Sequence, residues 1–379
     1  MKLAIVRQTY TPYGGAERFV ERALAGLRAQ GADVTVIARQ WAGADDGRFL
    51  CCDPAYFGRT WRDAGFSRAV QGIIASGRFD LVQSHERIPG CHIFRAGDGV
   101  HATWLELRDR ARGGLARLAT ALSPWHRYTL AAEAAMFRHP ALRAVICNSR
   151  MVRDDIARRF GLGEDKLHVI YNGVDMDYFH PGLGDEHRAA MRRQLNVGLE
   201  TPLILFVGSG FERKGVPVLI QALPRMARHD AVLVVVGRDK AQASLMKRAT
   251  GAGLGERVRF IGPQKDVRPF YGAADVFALP TLYDPFPNAA LEALACGLPI
   301  ATSSTCGAAE LVRAGLGFPA CGTVCDALDA ATLARQLDSL IETRASLGDA
   351  ARHAVAHLSL AAMAESLGQL YESLLKRPV

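Results

Sequence analysis

Short apolar runs alternate with helical segments along the first half of the chain. The apolar runs predict strands at residues 2–6, 33–38, 79–83 and 144–147. Between the first two runs, residues 16–30 place apolar side chains on one helical face and stop at Gly31, which predicts an amphipathic helix. Strands that alternate with helices in this way predict a mostly parallel sheet covered on both faces.

The same alternation starts again in the second half. Apolar runs predict strands at residues 203–207, 231–236, 258–261, 275–279 and 299–301. We therefore predict two doubly wound α/β domains in series, residues 1–172 and 173–358. Their junction is expected near Tyr171–Phe179, where an Asn-Gly pair marks a turn. The remaining tail, about residues 359–379, is predicted to be helical.

Size and composition agree with two globular domains. Of the 379 residues, 49% are hydrophobic and 22% are charged, which is enough apolar material for two cores. No apolar run reaches the ~18 residues of a membrane span. The apolar start of the chain is too short for a signal peptide, so we expect a cytoplasmic protein. The eight scattered cysteines favour buried, reduced thiols over a zinc site.

The excess positive charge is confined to the first half of the chain. Residues 1–172 carry 25 Lys and Arg against 17 Asp and Glu, a net of +8, whereas residues 173–379 carry 21 of each. Such asymmetry indicates an anionic partner. No aromatic and basic platform or nucleic-acid motif is present, so nucleic acid is disfavoured. An anionic membrane or a phosphorylated glycolipid fits the charge better.

The stretch from Ala274 to Val312 carries the most informative chemistry. A polar loop at 281–287 follows a strand, and a helix is predicted from Asn288 as N-cap to Gly297 just past its C-terminus. Asp284 in the loop and Glu292 in the helix have seven residues between them. A helix N-terminus suits a phosphate, and carboxylates accept hydrogen bonds from sugar hydroxyls. The combination favours a sugar nucleotide as ligand.

Two adjacent cations follow the first strand of the second half. Arg213 and Lys214 come shortly after Gly208, and we expect them at the start of a helix. The segment is neither a P-loop nor a dinucleotide fingerprint. Cations at a helix start oppose the helix dipole, which favours a functional role over a solvated helix end. Two fixed cations at this position can neutralise the charge that grows on a departing diphosphate.

Two further segments invite a ligand interpretation. Gly14 and Gly15 lie between the first strand and the first helix, where glycines let the backbone approach a diphosphate closely. The Asp175-x-Asp177 spacing suggests a metal site, but its turn context favours a hinge. No metal is therefore expected.

The pair of acids resembles the acid-x7-acid motif of retaining glycosyltransferases of family 4, which have the GT-B fold of two Rossmann-like domains facing across a cleft. This resemblance implies that Glu292 holds the ribose and Asp284 holds hydroxyls of the donor sugar. The family usually has Glu where this chain has Asp284, which leaves the donor sugar open. The resemblance also assigns Arg213, Lys214, Gly14 and Gly15 to the donor diphosphate. It assigns the donor sugar to the backbone of Phe286, Pro287, Asn288 and Ala289.

The acceptor side is predicted in the first domain. His85–Arg87 and the segment around Asp98 and His101 follow predicted strands. Residues 87–102 resemble a stretch of lipopolysaccharide core glucosyltransferases, which places Asp98 near the acceptor hydroxyl as a hydrogen-bond acceptor or base. A turn-capping Asp is the equal alternative. By the same resemblance, the Leu-, Trp- and Arg-rich segment 104–127 is expected to contact a membrane, with surface packing as the alternative.

Together with the family resemblance, these features predict a peripheral glycosyltransferase at the inner face of the membrane. The resemblance implies that it needs no metal and that it transfers a hexose from a nucleotide sugar to a lipopolysaccharide core or a similar glycolipid with retention of configuration. UDP is favoured over GDP or ADP by likeness alone, and the tail is expected to pack back on the first domain for the same reason. A nucleotide-sugar epimerase of the same fold and a non-catalytic sugar-nucleotide sensor remain alternatives.

Overall fold

A computed structural model describes most of the chain. The described residues are 1–10, 31, 33–41, 49–113, 118, 120–313 and 320–376. The chain forms two compact units, which we call unit 1 (Met1–Gly173 with the residues from Leu360 onward) and unit 2 (Val174–Ser359). The boundary between Gly173 and Val174 falls inside the segment where the sequence predicts the junction. The predicted helix 16–30 and its Gly14–Gly15 turn lie outside the described residues.

Unit 1 is built on a seven-stranded sheet in which all neighbours are parallel. The strands of unit 1 are β1 (Lys2–Val6), β2 (Thr9–Tyr10), β3 (Asp33–Ala38), β4 (Gln40–Trp41), β5 (Phe49–Cys51), β6 (Leu81–Ser84), β7 (Ile93–Arg95), β8 (Ala144–Cys147) and β9 (Leu167–Val169). The order in the sheet is β5-β3-β1-β6-β7-β8-β9, and the two-residue strands β2 and β4 pair separately. The described α-helices of unit 1 are Gly58–Ala75, His101–Arg112, Pro124–Arg138, Arg150–Phe160 and Leu360–Lys376.

The C-terminal helix Leu360–Lys376 belongs to the core of unit 1. Its apolar side chains pack with Leu3, Ile5 and Ile93 of the sheet. The hydroxyl of Tyr371, which is 1% exposed, donates a hydrogen bond to Gln83 Oε1 at 2.6 Å. The tail of the chain therefore stabilises the unit in which the chain begins.

Unit 2 repeats the architecture with six parallel strands: β10 (Leu203–Val207), β11 (Val232–Val236), β12 (Val258–Gly262), β13 (Val276–Leu279), β14 (Ile300–Ser303) and β15 (Gly322–Cys325). Their order in the sheet is β12-β11-β10-β13-β14-β15. The described α-helices of unit 2 are Leu183–Gln194, Val216–Ala222, Gln242–Gly251, Arg268–Ala273, Asn288–Ala295, Ala309–Val312 and Ala330–Ala354. The order reverses between β10 and β13, and ligands bind beyond the carboxyl ends of strands at such a switch point.

The cysteines and helix lengths bear on two expectations from the sequence. All eight cysteines are free, and seven of them are buried, but Cys51 at the end of β5 is exposed, so the expectation of burial is wrong there. Among the described helices, none has both the length and the apolar character needed to cross a bilayer.

Candidate functional site

The candidate site of unit 2 lies where β10 and β13 end, at the switch point of the sheet. Gly208 follows β10 directly, with a φ of +152°. A Cβ at Gly208 would lie 3.1 Å from Cδ of Lys214, so the lysine side chain passes closely over this glycine. Gly237, after β11, supports the turn from behind, because a Cβ there would lie 1.9 Å from the Gly208 carbonyl oxygen. Both glycines are required by backbone geometry.

Arg213 and Lys214 lie in the turn that precedes the helix Val216–Ala222, whose N-cap is Gly215. The expectation that they begin the helix is therefore wrong by two to three residues. Gly215 has a φ of +89°, and its backbone packs on Pro280: a Cβ on Gly215 would lie 2.1 Å from the Pro280 carbonyl oxygen. Because of this contact the helix begins only after Gly215. The Arg213 carbonyl accepts hydrogen bonds from the loop after β13, from Leu282 N at 2.7 Å and Thr281 Oγ1 at 2.9 Å. The two loops of the switch point are thus joined.

Asp284 is a buried carboxylate facing both cations. Its Oδ2 lies 3.1 Å from Lys214 Nζ and 4.0 Å from Arg213 Nη1, and the residue is 6% exposed. Its backbone is fixed to the segment after β14, since Asp284 N donates to Thr305 O and Gly307 N donates to Asp284 O. A buried carboxylate is stable only when it is paired. The structure therefore brings together three residues that the sequence places at the donor.

The helix Asn288–Ala295 presents its first turn beside this cluster. Pro287 is the N-cap, with an extended backbone at φ −74° and ψ 125°, and Asn288 is already helical. The prediction of Asn288 as N-cap is therefore wrong by one residue. The prediction for Gly297 is confirmed, because it follows the C-cap Cys296 with a φ of +76°. Phe286 and Pro287 are buried, whereas Asn288 and Ala289 are half-buried.

Glu292 is held by a residue that sequence reasoning missed. The hydroxyl of Tyr271 lies 2.8 Å from Glu292 Oε2 and 3.2 Å from the carbonyl oxygen of Ala289. Tyr271 is 1% exposed and belongs to the helix Arg268–Ala273, so it reaches Glu292 from a neighbouring element. Glu292 itself is half-buried. No local pattern in the sequence signals this pair, because it joins two separate helices.

In unit 1, the residues predicted at the acceptor separate into exposed and buried groups. Asp98 is exposed, in the loop that follows the carboxyl end of β7. His101 is 7% exposed, and its Nε2 lies 3.0 Å from Nδ1 of His126. Burial, followed by nearby arginines and His126, lowers the pKa of His101 to about 3. Its ring is therefore neutral near pH 7 and packs inside unit 1.

A buried ion pair supports the loop that carries Asp98. Glu133, which is 1% exposed, accepts from Arg87 Nε at 2.8 Å and from His101 N at 2.9 Å. Arg87 also donates to the Gly99 carbonyl at 3.1 Å. No sequence pattern identifies Glu133, since it lies in the middle of the helix Pro124–Arg138. Within the predicted His85–Arg87 cluster, Arg87 thus contacts the loop that carries Asp98 through the Gly99 carbonyl.

Within the segment 104–127, the structure describes residues 104–113, 118 and 120–127. The helix His101–Arg112 ends at Gly113, with a φ of +79°, and the next described α-helix begins at Pro124. Trp104 is half-buried and Leu105 is only 7% exposed. The expectation that the tryptophan and leucines of this helix enter a membrane is therefore not met for Leu105. Of the described residues beyond the helix, Leu118 and Leu122 are exposed.

Paired acids and two cations at the switch point of a parallel sheet are suited to bind a phosphorylated ligand with sugar hydroxyls. Known proteins are similar to this chain in both fold and sequence. Residues 13–178 match the family model Glycosyltransferase Family 4, and residues 187–354 match the model Glycosyl transferases group 1. The chain therefore belongs to the glycosyltransferases that these two models describe.

Two relatives illustrate the sequence similarity. Lipopolysaccharide glucosyltransferase WaaG of Escherichia coli K12 is 27% identical over 329 residues, covering 86% of this chain and 85% of WaaG. An uncharacterized glycosyltransferase of Methanocaldococcus jannaschii is 34% identical over 172 residues, covering 45% of this chain. The chain spans only 44% of the length of that archaeal relative.

Solved structures show the GT-B fold. The crystal structure of WaaG, described as involved in lipopolysaccharide biosynthesis, has a TM-score of 0.80 at 24% identity and covers 97% of this chain and 99% of WaaG. HepE of Anabaena in complex with UDP-glucose has a TM-score of 0.70 at 19% identity and covers 98% of this chain and 100% of HepE. The two parallel-sheet units are accordingly the two Rossmann-like domains of a GT-B protein.

Proposed function

We propose that this protein transfers a hexose from a UDP-sugar, such as UDP-glucose, to a lipopolysaccharide core or a similar glycolipid acceptor. The observation that carries the proposal is the cluster of Arg213, Lys214 and Asp284 beside the helix that bears Glu292. The name of WaaG, a lipopolysaccharide glucosyltransferase, supports the acceptor class. The structure of HepE in complex with UDP-glucose supports the donor. The positive charge of residues 1–172 supports an anionic acceptor.

The donor roles follow from the chemistry of each group. Glu292, oriented by Tyr271, accepts hydrogen bonds from the ribose hydroxyls. Lys214 and Arg213 bind the diphosphate and stabilise the charge that grows as the sugar leaves. Asp284 and the backbone N–H groups of Phe286–Ala289 bind the sugar hydroxyls. Asp284 Oδ2 lies 3.1 Å from Lys214 Nζ and 4.0 Å from Arg213 Nη1, so the carboxylate also helps to hold the two cations in place.

The transfer retains the configuration of the sugar. In this proposal the bond between the sugar C1 and the phosphate oxygen breaks as the acceptor oxygen bonds to C1 on the same face. The acceptor proton passes to the leaving phosphate oxygen, and Asp98 accepts a hydrogen bond from the acceptor hydroxyl. The cations supply the leaving-group stabilisation, so the scheme needs no metal. The family resemblance assigns Gly14 and Gly15 to the diphosphate as well, and His101 contributes by packing beside the Asp98 loop.

We place the reaction at the inner face of the membrane, with the protein in the cytoplasm and attached peripherally. A glycolipid acceptor presents its sugar at the level of the lipid headgroups. An exposed basic surface holds a protein at that level, because anionic lipids attract Lys and Arg side chains by about 1 kcal/mol each. The excess of basic residues in the first half of the chain supports this placement.

A panel of UDP- and GDP-sugars tests the proposal. A cognate donor at ~100 times its dissociation constant should stabilise the protein by roughly 3 kcal/mol in thermal unfolding. Transfer should require the acceptor. If the donor alone were converted into an epimeric sugar nucleotide, the epimerase alternative would replace the transferase, and binding without any conversion would favour the sensor.

A further inference from the structure

Glu86 is a half-buried carboxylate just after the carboxyl end of β6, and the proposed donor and acceptor chemistry does not use it. Its Oε1 accepts a hydrogen bond from the backbone N–H of Gln8 at 3.1 Å. The adjacent cation, Arg87, is paired with Glu133 instead. A carboxylate accepts up to about four hydrogen bonds, so one bond from the backbone leaves Glu86 able to accept others.

The main chain holds Glu86 in place. Ser84, the last residue of β6, is fully buried, and its hydroxyl donates to the Glu86 carbonyl at 2.7 Å and accepts from Glu86 N at 3.0 Å. Gln8 follows β1, the strand that pairs with β6, so the bond from its N–H joins the ends of two strands. A side chain fixed in this way loses little conformational entropy when a ligand binds.

The loop that carries Asp98 lies next to Glu86. Because β6 and β7 are parallel neighbours, the loops that follow them begin at the same edge of the sheet. Arg87 donates to the Gly99 carbonyl at 3.1 Å, so the residue after Glu86 contacts the residue after Asp98. Burial raises the pKa of Glu86, the Gln8 N–H lowers it, and the charge of Asp98 raises it again. The two carboxylates are therefore close enough to interact.

A buried amide completes this edge. Asn148 follows β8, the strand beside β7, and it is 2% exposed. Its Nδ2 donates to the Gly97 carbonyl at 3.4 Å, so the side chain is aimed at the loop that carries Asp98. Among the residues that the structure describes, none supplies a hydrogen bond to Asn148 Oδ1. Buried polar atoms are nearly always paired, so this oxygen is suited to a donor on a ligand.

Three adjacent strands thus end in oxygen acceptors, Glu86 after β6, Asp98 after β7 and Asn148 after β8. Such a set matches hydroxyl groups, which donate hydrogen bonds, and disfavours phosphate. A link between β1 and β6 alone needs only a neutral acceptor, and a second negative charge beside Asp98 is electrostatically unfavourable. The charge of Glu86 therefore favours a ligand role over a purely structural one.

We propose that Glu86 and Asn148 form a subsite that binds the hydroxyl next to the reacting one on the acceptor sugar. Asp98 receives the reacting hydroxyl, so the acceptor must carry hydroxyls on two neighbouring carbons. The inference deepens the proposed function and rests on it for the identity of the acceptor as a sugar. In this scheme Glu86 selects the acceptor and takes no part in donor binding.

Kinetics with a deacylated lipopolysaccharide core oligosaccharide as acceptor and UDP-glucose as donor test the subsite. Glu86→Gln keeps an oxygen for the Gln8 N–H and removes the charge, so KM for the oligosaccharide should rise at least tenfold while kcat stays within threefold. The matched control is Glu164→Gln, which should behave like the wild type. Glu164 is exposed and precedes β9, at the opposite edge of the same sheet. An unchanged KM in Glu86→Gln would overturn the proposal.

A deoxygenated acceptor distinguishes the subsite from a structural role of Glu86. Replacing the hydroxyl next to the reacting one by hydrogen should lower kcat/KM of the wild type at least tenfold. The same replacement should cost Glu86→Gln less than threefold, because the partner of that hydroxyl is already weakened. Equal losses in the two proteins would show that the hydroxyl binds elsewhere.

Binding of the oligosaccharide in the presence of UDP, followed by NMR titration, separates the subsite from the proposed reaction. The wild type should bind it, Glu86→Gln should bind it at least tenfold more weakly, and UDP affinity should be the same in both. Wild-type binding without transfer would count against the proposed function alone, and the weaker binding of the variant would still support the subsite. No oligosaccharide binding by the wild type, or an equal loss of UDP affinity in Glu86→Gln, would contradict the subsite.

Discussion

At the scale of single residues, the proposed sugar transfer depends on Lys214 and its partners. The sequence identifies Lys214 and Asp284 separately as candidates, but not their contact, because 70 positions separate them and only the ends of β10 and β13 bring them together. The same limit applies to Tyr271 and Glu133. Each is a buried residue in the interior of a helix, and its functional neighbour belongs to a different element.

Replacing Lys214 by Gln should reduce kcat at least 100-fold, or about 3 kcal/mol of transition-state stabilisation, because a fixed cation on the leaving diphosphate is lost. Steady-state transfer from UDP-glucose measures the effect. The exposed Lys247→Gln in the same unit is the control and should retain full turnover. Turnover of Lys214→Gln within threefold of the wild type would remove Lys214 from the mechanism.

His101 should make unit 1 less stable in mild acid. Its pKa is about 3 when folded and ~6.5 when unfolded, so below pH 6.5 the unfolded chain binds a proton that the folded chain does not. Stability therefore falls as the pH is lowered, by up to about 1.4 kcal/mol per pH unit. All four tryptophans lie in the first 125 residues, so urea unfolding followed by their fluorescence reports on unit 1.

The comparison is with His101→Asn, which lacks the titrating group. Between pH 7 and pH 5, the wild type should lose roughly 1–2 kcal/mol more stability than this variant. The exposed His357→Asn in unit 2 serves as a control and should follow the wild type. Parallel pH profiles for the wild type and His101→Asn would contradict a buried, neutral His101.

At the scale of elements, the sequence predicts long apolar strands well and short ones poorly. The strands at 2–6, 33–38, 144–147 and 203–207 have the predicted bounds, because each has at least three consecutive apolar residues at buried positions. Three-residue strands such as Ile93–Arg95 and Leu167–Val169 went unpredicted, since so short a run has no readable period. The position of Arg213 and Lys214 before their helix depends on how Gly215 packs on Pro280, a contact that sequence patterns do not encode.

The turn after β10 should tolerate no side chain behind it. In Gly237→Ala the new methyl group would lie 1.9 Å from the Gly208 carbonyl oxygen, at a φ of +136°. We expect a loss of about 3 kcal/mol or more in the free energy of unfolding of unit 2, measured by circular dichroism in urea. Gly251→Ala is the matched control, because nothing lies within 4 Å of its Cβ, and it should be neutral or slightly stabilising. Equal stability of the two variants would show that Gly208 and Gly237 are not in close contact.

At the scale of the whole molecule, two domains of the same architecture were predictable because the same alternation of strands and helices occurs twice. The order of the strands, and hence the switch point in unit 2, is a tertiary property that the alternation leaves open. The distribution of charge belongs to this scale as well. The basic excess lies in residues 1–172, whereas residues 173–379 are neutral and include the cluster of Asp284, Arg213 and Lys214.

In the proposed function, unit 2 binds the nucleotide of the donor through Glu292 and the neighbouring cations. Isothermal titration of UDP into the wild type, Glu292→Gln and Asp98→Asn measures this binding. Glu292→Gln should bind UDP at least tenfold more weakly, since the charged acceptor of the ribose hydrogen bonds is lost, a change of about 1.4 kcal/mol. Asp98→Asn in unit 1 should bind UDP like the wild type. Undiminished UDP affinity in Glu292→Gln would contradict the account.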